Sequence, residues 1–127
     1  MNHHLLVIDH AYRGSVEVQF SHLLYLAQGL HGQLRGADVA LYGTAVTLAV
    51  AAPPPPPLVL RAGTVERLPD PGPALRSLLD AGASVFVEQS RLDALGLPRE
   101  RLVDGVVCRT AAQPARHWPD YEEVWFL

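Results

Sequence analysis

Residues 82–108 read GASVFVEQSRLDALGLPRERLVDGVVC, and this stretch decides the fold. Ala83 to Val87 is a short apolar run rich in β-branched and aromatic residues, as expected of a strand buried on both faces. Leu92-Asp93-Ala94-Leu95 continues as a helical turn that stops at Gly96, and Pro98 opens a second short turn. Gly105-Val106-Val107-Cys108 is the next buried run. Two parallel strands joined in this way make half of an open α/β sheet, whose ligands sit beyond the carboxyl ends of the strands. Glu88, Gln89 and Ser90 follow the first of these strands and so stand where such a fold keeps its chemistry.

Upstream, Leu5-Leu6-Val7-Ile8 is a strand core ending in Asp9-His10, with a turn over Ala11-Tyr12-Arg13-Gly14. Ser15 can cap a helix whose apolar face is Val16, Phe20, Leu23, Leu24, Ala27 and Leu30, with Gly29, Gly32 and Gly36 weakening its end. Ala37 to Tyr42 is a second strand, and Gly43 turns it into a short Ala- and Val-rich helix over residues 44–51. Five consecutive prolines, Pro53 to Pro57, cannot donate backbone hydrogen bonds and form a short rigid surface loop. Leu58-Val59-Leu60 adds a short strand, and Leu75, Leu78 and Leu79 bury one face of a helix that ends at Gly82. A helical turn over residues 111–117 and a closing strand over Glu123 to Leu127 complete the order. A parallel sheet with helices on both faces is its economical solution.

Composition narrows the function classes. The chain has 127 residues, is 49% hydrophobic and 18% charged, and carries a net charge of −3. These values fit one globular domain over residues 1–127 with a single core. Its arginines do not cluster into the basic stripe that nucleic-acid binding requires. All ten cationic residues are arginine, so no lysine side chain can supply Schiff-base or amine catalysis. A single cysteine, Cys108, excludes an intrachain disulfide framework. The start MNHHLLVID is too short in apolar residues for a signal-peptide core, and no apolar run reaches the roughly 18–20 residues that span a bilayer. The expected location is the cytoplasm.

Several strings, in this order and spacing, resemble the DsrE/DsrF-like family, which includes sulfur-relay subunits of the Dsr and Tus systems. They are Tyr12-x-Gly14-Ser15 after the opening strand, Leu41-Tyr42-Gly43-Thr44-Ala45-Val46, and Val85-Phe86-Val87 followed by Leu92-x-x-x-Gly96-Leu97. Leu102-Val103-Asp104-Gly105-Val106 and the closing Tyr121-Glu122-Glu123-Val124-Trp125-Phe126 complete the set, so the resemblance covers nearly the whole chain. It implies an α/β fold of DsrE/F-like topology, a single-domain three-layer sandwich on a mostly parallel sheet of about five strands. It also implies oligomers and, as further partners, other sulfur-relay-type subunits. In sulfur-carrying members a persulfide cysteine follows the fourth family strand; the matching position here is Glu88. A carboxylate cannot replace the thiolate that sulfur transfer needs.

Two functions follow. One is a non-catalytic or regulatory protein, a structural subunit of a sulfur-relay-type assembly. The other is a small-molecule-binding protein or weak enzyme using a strand-end crevice of His10, Tyr12, Ser15, Glu88, Gln89 and Ser90, which forms if the first strand and the Val85–Val87 strand are neighbours. A Glu beside a His suits acid–base work or cation binding. Glu88 and Ser90 equally suit the start of the following helix, where a negative charge is stabilised by about 0.3–1 kcal/mol. Cys108 is a possible thiol, although buried cysteine behaves mostly as a small hydrophobe. No His or Cys spacing matches a zinc site and no glycine-rich loop cradles a phosphate, so neither a metal nor a cofactor is expected. Trp118, Trp125 and the 44–51 helix offer more apolar surface than one small sheet needs, which points to a homo-oligomer.

Overall fold

The computed structural model describes residues 2–11, 23–54, 56–65, 70–110 and 114–127. Five parallel strands form the main sheet: β1 (His4–Ile8), β2 (Ala37–Leu41), β5 (Val85–Glu88), β6 (Val107–Arg109) and β7 (Glu123–Phe126). Their spatial order is β6-β5-β2-β1-β7. The expected α/β class with about five parallel strands is what the chain adopts.

The three central strands are near-continuous apolar runs because both their faces are covered. One face packs Leu6, Ile8, Val39, Leu41, Val85 and Val87 against α1 (Leu23–Gln33), α2 (Pro71–Asp80), α3 (Gln89–Ala94) and a 3-10 turn over Gly43–Ala49. The other face packs Leu5, Val7 and Ala40 against Tyr42, Trp118, Tyr121 and Val124. Trp118 and Tyr121 come from, or just follow, a 3-10 turn over Pro114–Asp120.

Local chemistry explains the elements. Asp70 caps α2 by accepting from the Gly72 amide at 3.0 Å, and Pro71 occupies the first helical position, where a missing N–H costs nothing. Leu24 and Ala27 of α1 are buried, whereas Tyr25 and Leu26 are exposed. Ser15 and the first part of the apolar face expected for that helix lie outside the described residues.

Three expectations need correction. The short helix expected over residues 44–51 forms as a 3-10 helix, but it does not offer the apolar surface expected of it. Gly43–Ala49 is a 3-10 turn in which the Thr47 hydroxyl bonds back to the Thr44 carbonyl, and Ala45, Val46, Leu48 and Ala49 are all buried. That segment therefore leaves no exposed apolar surface for subunit contact. The short strand expected over Leu58-Val59-Leu60 is present as β3 (Leu58–Leu60), which pairs antiparallel with β4 (Gly63–Val65) in a hairpin separate from the main sheet. The Val106–Cys108 run is not fully buried, because β6 is an edge strand and Val107 is 46% exposed. Finally, β1 and β5 are not neighbours, since β2 pairs with both.

At the amino-terminal end of the sheet, a polar network ties distant segments together. The carboxylate of Asp38, 2% exposed, accepts from Asn2 Nδ2 at 2.9 Å, the Ser84 amide at 3.0 Å and the Tyr121 hydroxyl at 2.7 Å. A buried carboxylate is tolerated here because three donors replace its lost water. Burial first, and then this bond to Asp38, push the Tyr121 phenol above its ordinary pKa. Among the described residues no helix is long and apolar enough to cross a membrane.

Candidate functional site

The carboxyl end of the sheet is assembled from the exits of β1, β2, β5 and β6. The first two are tied directly. The Tyr42 amide donates to the Ile8 carbonyl at 2.9 Å, and the Ala11 amide donates to Thr44 Oγ1 at 3.1 Å. Gly43 has φ +54°, and a Cβ there would stand 2.6 Å from the Asp9 carbonyl oxygen. Only glycine permits that approach of the β2 exit to the β1 exit.

His10 sits on this shelf beside Asp9, with Nδ1 2.6 Å from Oδ1 and both side chains more than half exposed. A solvated pair of this kind contributes little to stability. Its partner is therefore its sequence neighbour rather than Glu88. Glu88 ends β5, two strands away, so roughly 10 Å of sheet separates the two exits. The expected juxtaposition of His10 and Glu88 in one crevice fails for this reason. Tyr12 and Ser15, the other expected members, lie outside the described residues.

At the β5 exit, Glu88 occupies the position before α3, yet its side chain makes no capping hydrogen bond. The capping role is not what holds it there. By alternation along β5, Glu88 shares a face with Phe86, whereas Val85 and Val87 point to the helical face. Arg109 stands opposite Glu88 in the β5–β6 ladder, and its guanidinium lies 3.5 Å above the Phe86 ring centroid. This cation–π contact shields an aromatic face that water would otherwise wet. Phe86 and Arg109 were not legible as a pair, because they are 23 positions apart and only the ladder register brings them together.

Gln89 opens α3, and its Nε2 donates to Asp93 Oδ1 at 2.7 Å. Its Oε1 is buried and finds no partner among the described residues. Ser90 is exposed on the same helix. Cys108 stands opposite Val87, is free and half-buried, and packs against the core on the helical face. Sequence adjacency to Arg109 does not activate it, since that side chain leaves on the other face to cover Phe86. Among the described residues, no group of three or more His, Cys, Asp or Glu side chains could hold a metal ion.

Comparison with known proteins adds to this geometry. No family model matches the chain, and no curated protein matches it. Among solved structures it is similar to the ychN protein of E. coli, with a TM-score of 0.72 and 21% identity over 100% of both chains. It is also similar to a protein of unknown function from Methanobacterium thermoautotrophicum, MTH1491, with a TM-score of 0.66 and 13% identity over 98% of this chain and 99% of the other. These likenesses show the α/β fold and reach no further than the fold.

Proposed function

We propose that the protein is a non-catalytic member of a DsrE-like assembly, acting as a structural or regulatory subunit through its surface rather than by carrying sulfur. The observation that carries this reading is the placement of Glu88 and Cys108. A carboxylate occupies the strand exit, and the chain's one thiol is half-buried on the opposite face of an edge strand. Sulfur relay needs an accessible thiolate whose pKa is lowered by a nearby positive charge or helix start. Arg109, the nearest candidate in sequence, is engaged with Phe86 instead.

Self-association is the form of assembly with the most support. On the face that carries Leu5, Val7 and Ala40, Phe126 is 67% exposed and Val107 is 46% exposed, although both are large apolar residues in strands. They lie on β7 and β6, the two open edges of the sheet, where unpaired backbone groups can also accept a partner. The alternative crevice reading loses the His10–Glu88 juxtaposition on which it rested.

Light scattering on the native chain tests the proposal. A mass that is a multiple of 13.8 kDa at micromolar concentration is expected, with Phe126→Glu shifting it toward the single-chain value. A native chain that scatters as one copy would overturn self-association.

A further inference from the structure

A cleft of about 350 Å³ is lined by none of the described strand-exit residues considered above. Its volume lies within the range of small-molecule sites, roughly 300–1,000 Å³. Two walls are joined by backbone bonds: the Ala51 amide donates to the Arg101 carbonyl at 2.7 Å, and the Val103 amide donates to the Ala49 carbonyl at 2.9 Å. Val50 and Leu102 complete this pairing as an isolated antiparallel bridge. Val50 and Val103 line the cleft from this braced backbone, and Leu97 adds a further apolar side chain. Pro53 and Pro71, which have little freedom to close in, also line it.

The first turn of α2 supplies the polar rim. Asp70 Oδ1 is committed to the Gly72 amide. Arg76 folds its guanidinium back over that turn, with Nη2 3.4 Å from the position a Gly72 Cβ would take. A side chain at position 72 would crowd both groups, so glycine keeps this rim open. Arg76 is exposed and forms no ion pair with any described carboxylate. An apolar lining of this size, with a guanidinium at its mouth that no described carboxylate pairs, is complementary to a small molecule with a hydrophobic body and an anionic head.

The geometry points to this cleft as a binding site for a small amphipathic anion, such as an aromatic or branched aliphatic carboxylate or sulfonate. The hydrophobic body would lie on Val50, Leu97 and Val103, and the head would pair with Arg76. Asp70 opposes the head electrostatically at the same rim. Binding should therefore weaken when Arg76 loses its charge and tighten when Asp70 loses its own.

Anilinonaphthalene sulfonate, which has both required features, is a direct probe. Its fluorescence is titrated with native protein, and thermal melts show that each variant is folded. One saturable site is expected. Arg76→Gln should weaken it about fivefold, the scale of one partly exposed charge contact. Asp70→Asn, which keeps a capping oxygen for Gly72, should tighten it. Ala52→Trp, at an exposed position on the lip, should block it. Val59→Ser, at an exposed apolar position on the separate hairpin, serves as a control and should leave it unchanged. Absence of saturable binding would overturn the proposal. So would dye binding that follows Val59→Ser, or that ignores Arg76→Gln and Ala52→Trp.

Discussion

Cys108 stands opposite Val87 in the β5–β6 ladder, one position out of phase with Glu88, so thiol and carboxylate leave the sheet on opposite faces. The β5 exit thus carries a carboxylate, while the chain's thiol lies half-buried on the other face of the sheet. This separation makes the two residues independently testable.

Glu88 makes no capping bond to α3, so Glu88→Gln should change stability by less than about 0.5 kcal/mol in chemical denaturation. In a Cys108→Ser background, Glu88→Cys should react with a thiol reagent about tenfold faster than Cys108 does in the native chain. The new thiol would sit at a half-buried strand exit across the ladder from Arg109. Equal rates would mean that the exit is closed.

Tyr121→Phe should cost about 1–2 kcal/mol at neutral pH, because the buried Asp38 carboxylate loses one of its three donors. The pH dependence has a definite sign. The Tyr121 phenol holds its proton more tightly folded than unfolded, so the unfolded chain releases it first as pH rises. Its stabilisation is complete below the unfolded value of about 10 and is lost progressively above it. The chain has no lysine to obscure this window. The stability difference between the native chain and Tyr121→Phe should therefore shrink above about pH 10 in denaturation series. A constant difference would contradict the network.

Two glycines should respond oppositely to alanine. Gly43→Ala forces a Cβ to within 2.6 Å of the Asp9 carbonyl oxygen at positive φ, and should lower stability by about 1–3 kcal/mol. Gly29 is exposed inside α1 with nothing near its missing Cβ, so Gly29→Ala should raise stability by about 0.5–1 kcal/mol. Melting temperatures of the two variants would separate them.

These residues also show what could be read from the chain. The strands were legible because parallel strands covered on both faces write themselves as unbroken runs such as Leu5–Ile8 and Val85–Val87. Strand order was not. The placement of β2 between β1 and β5 comes from the packing of the whole sheet, and no local pattern encodes it. Asp38 did leave a signal, a lone charge inside the apolar run Ala37–Leu41, but its partner Tyr121 is 83 positions away. The cleft left none, since its lining and rim come from four separate segments between Thr47 and Val103. The Gly43–Ala49 segment misled for a physical reason. Its apolar residues suit a helix with one free side, yet the short 3-10 geometry turns them inward.

The sulfur chemistry of Cys108 is the most direct test of a non-catalytic role. The folded protein is incubated with a sulfane-sulfur donor beside a urea-unfolded sample, and both are read by intact mass spectrometry. The unfolded chain should gain a sulfur atom on its single thiol while the folded chain stays unmodified, as expected of a cysteine packed against the core. A persulfide forming on folded Cys108 as readily as on the unfolded chain would contradict the non-catalytic reading and restore sulfur transfer to this protein.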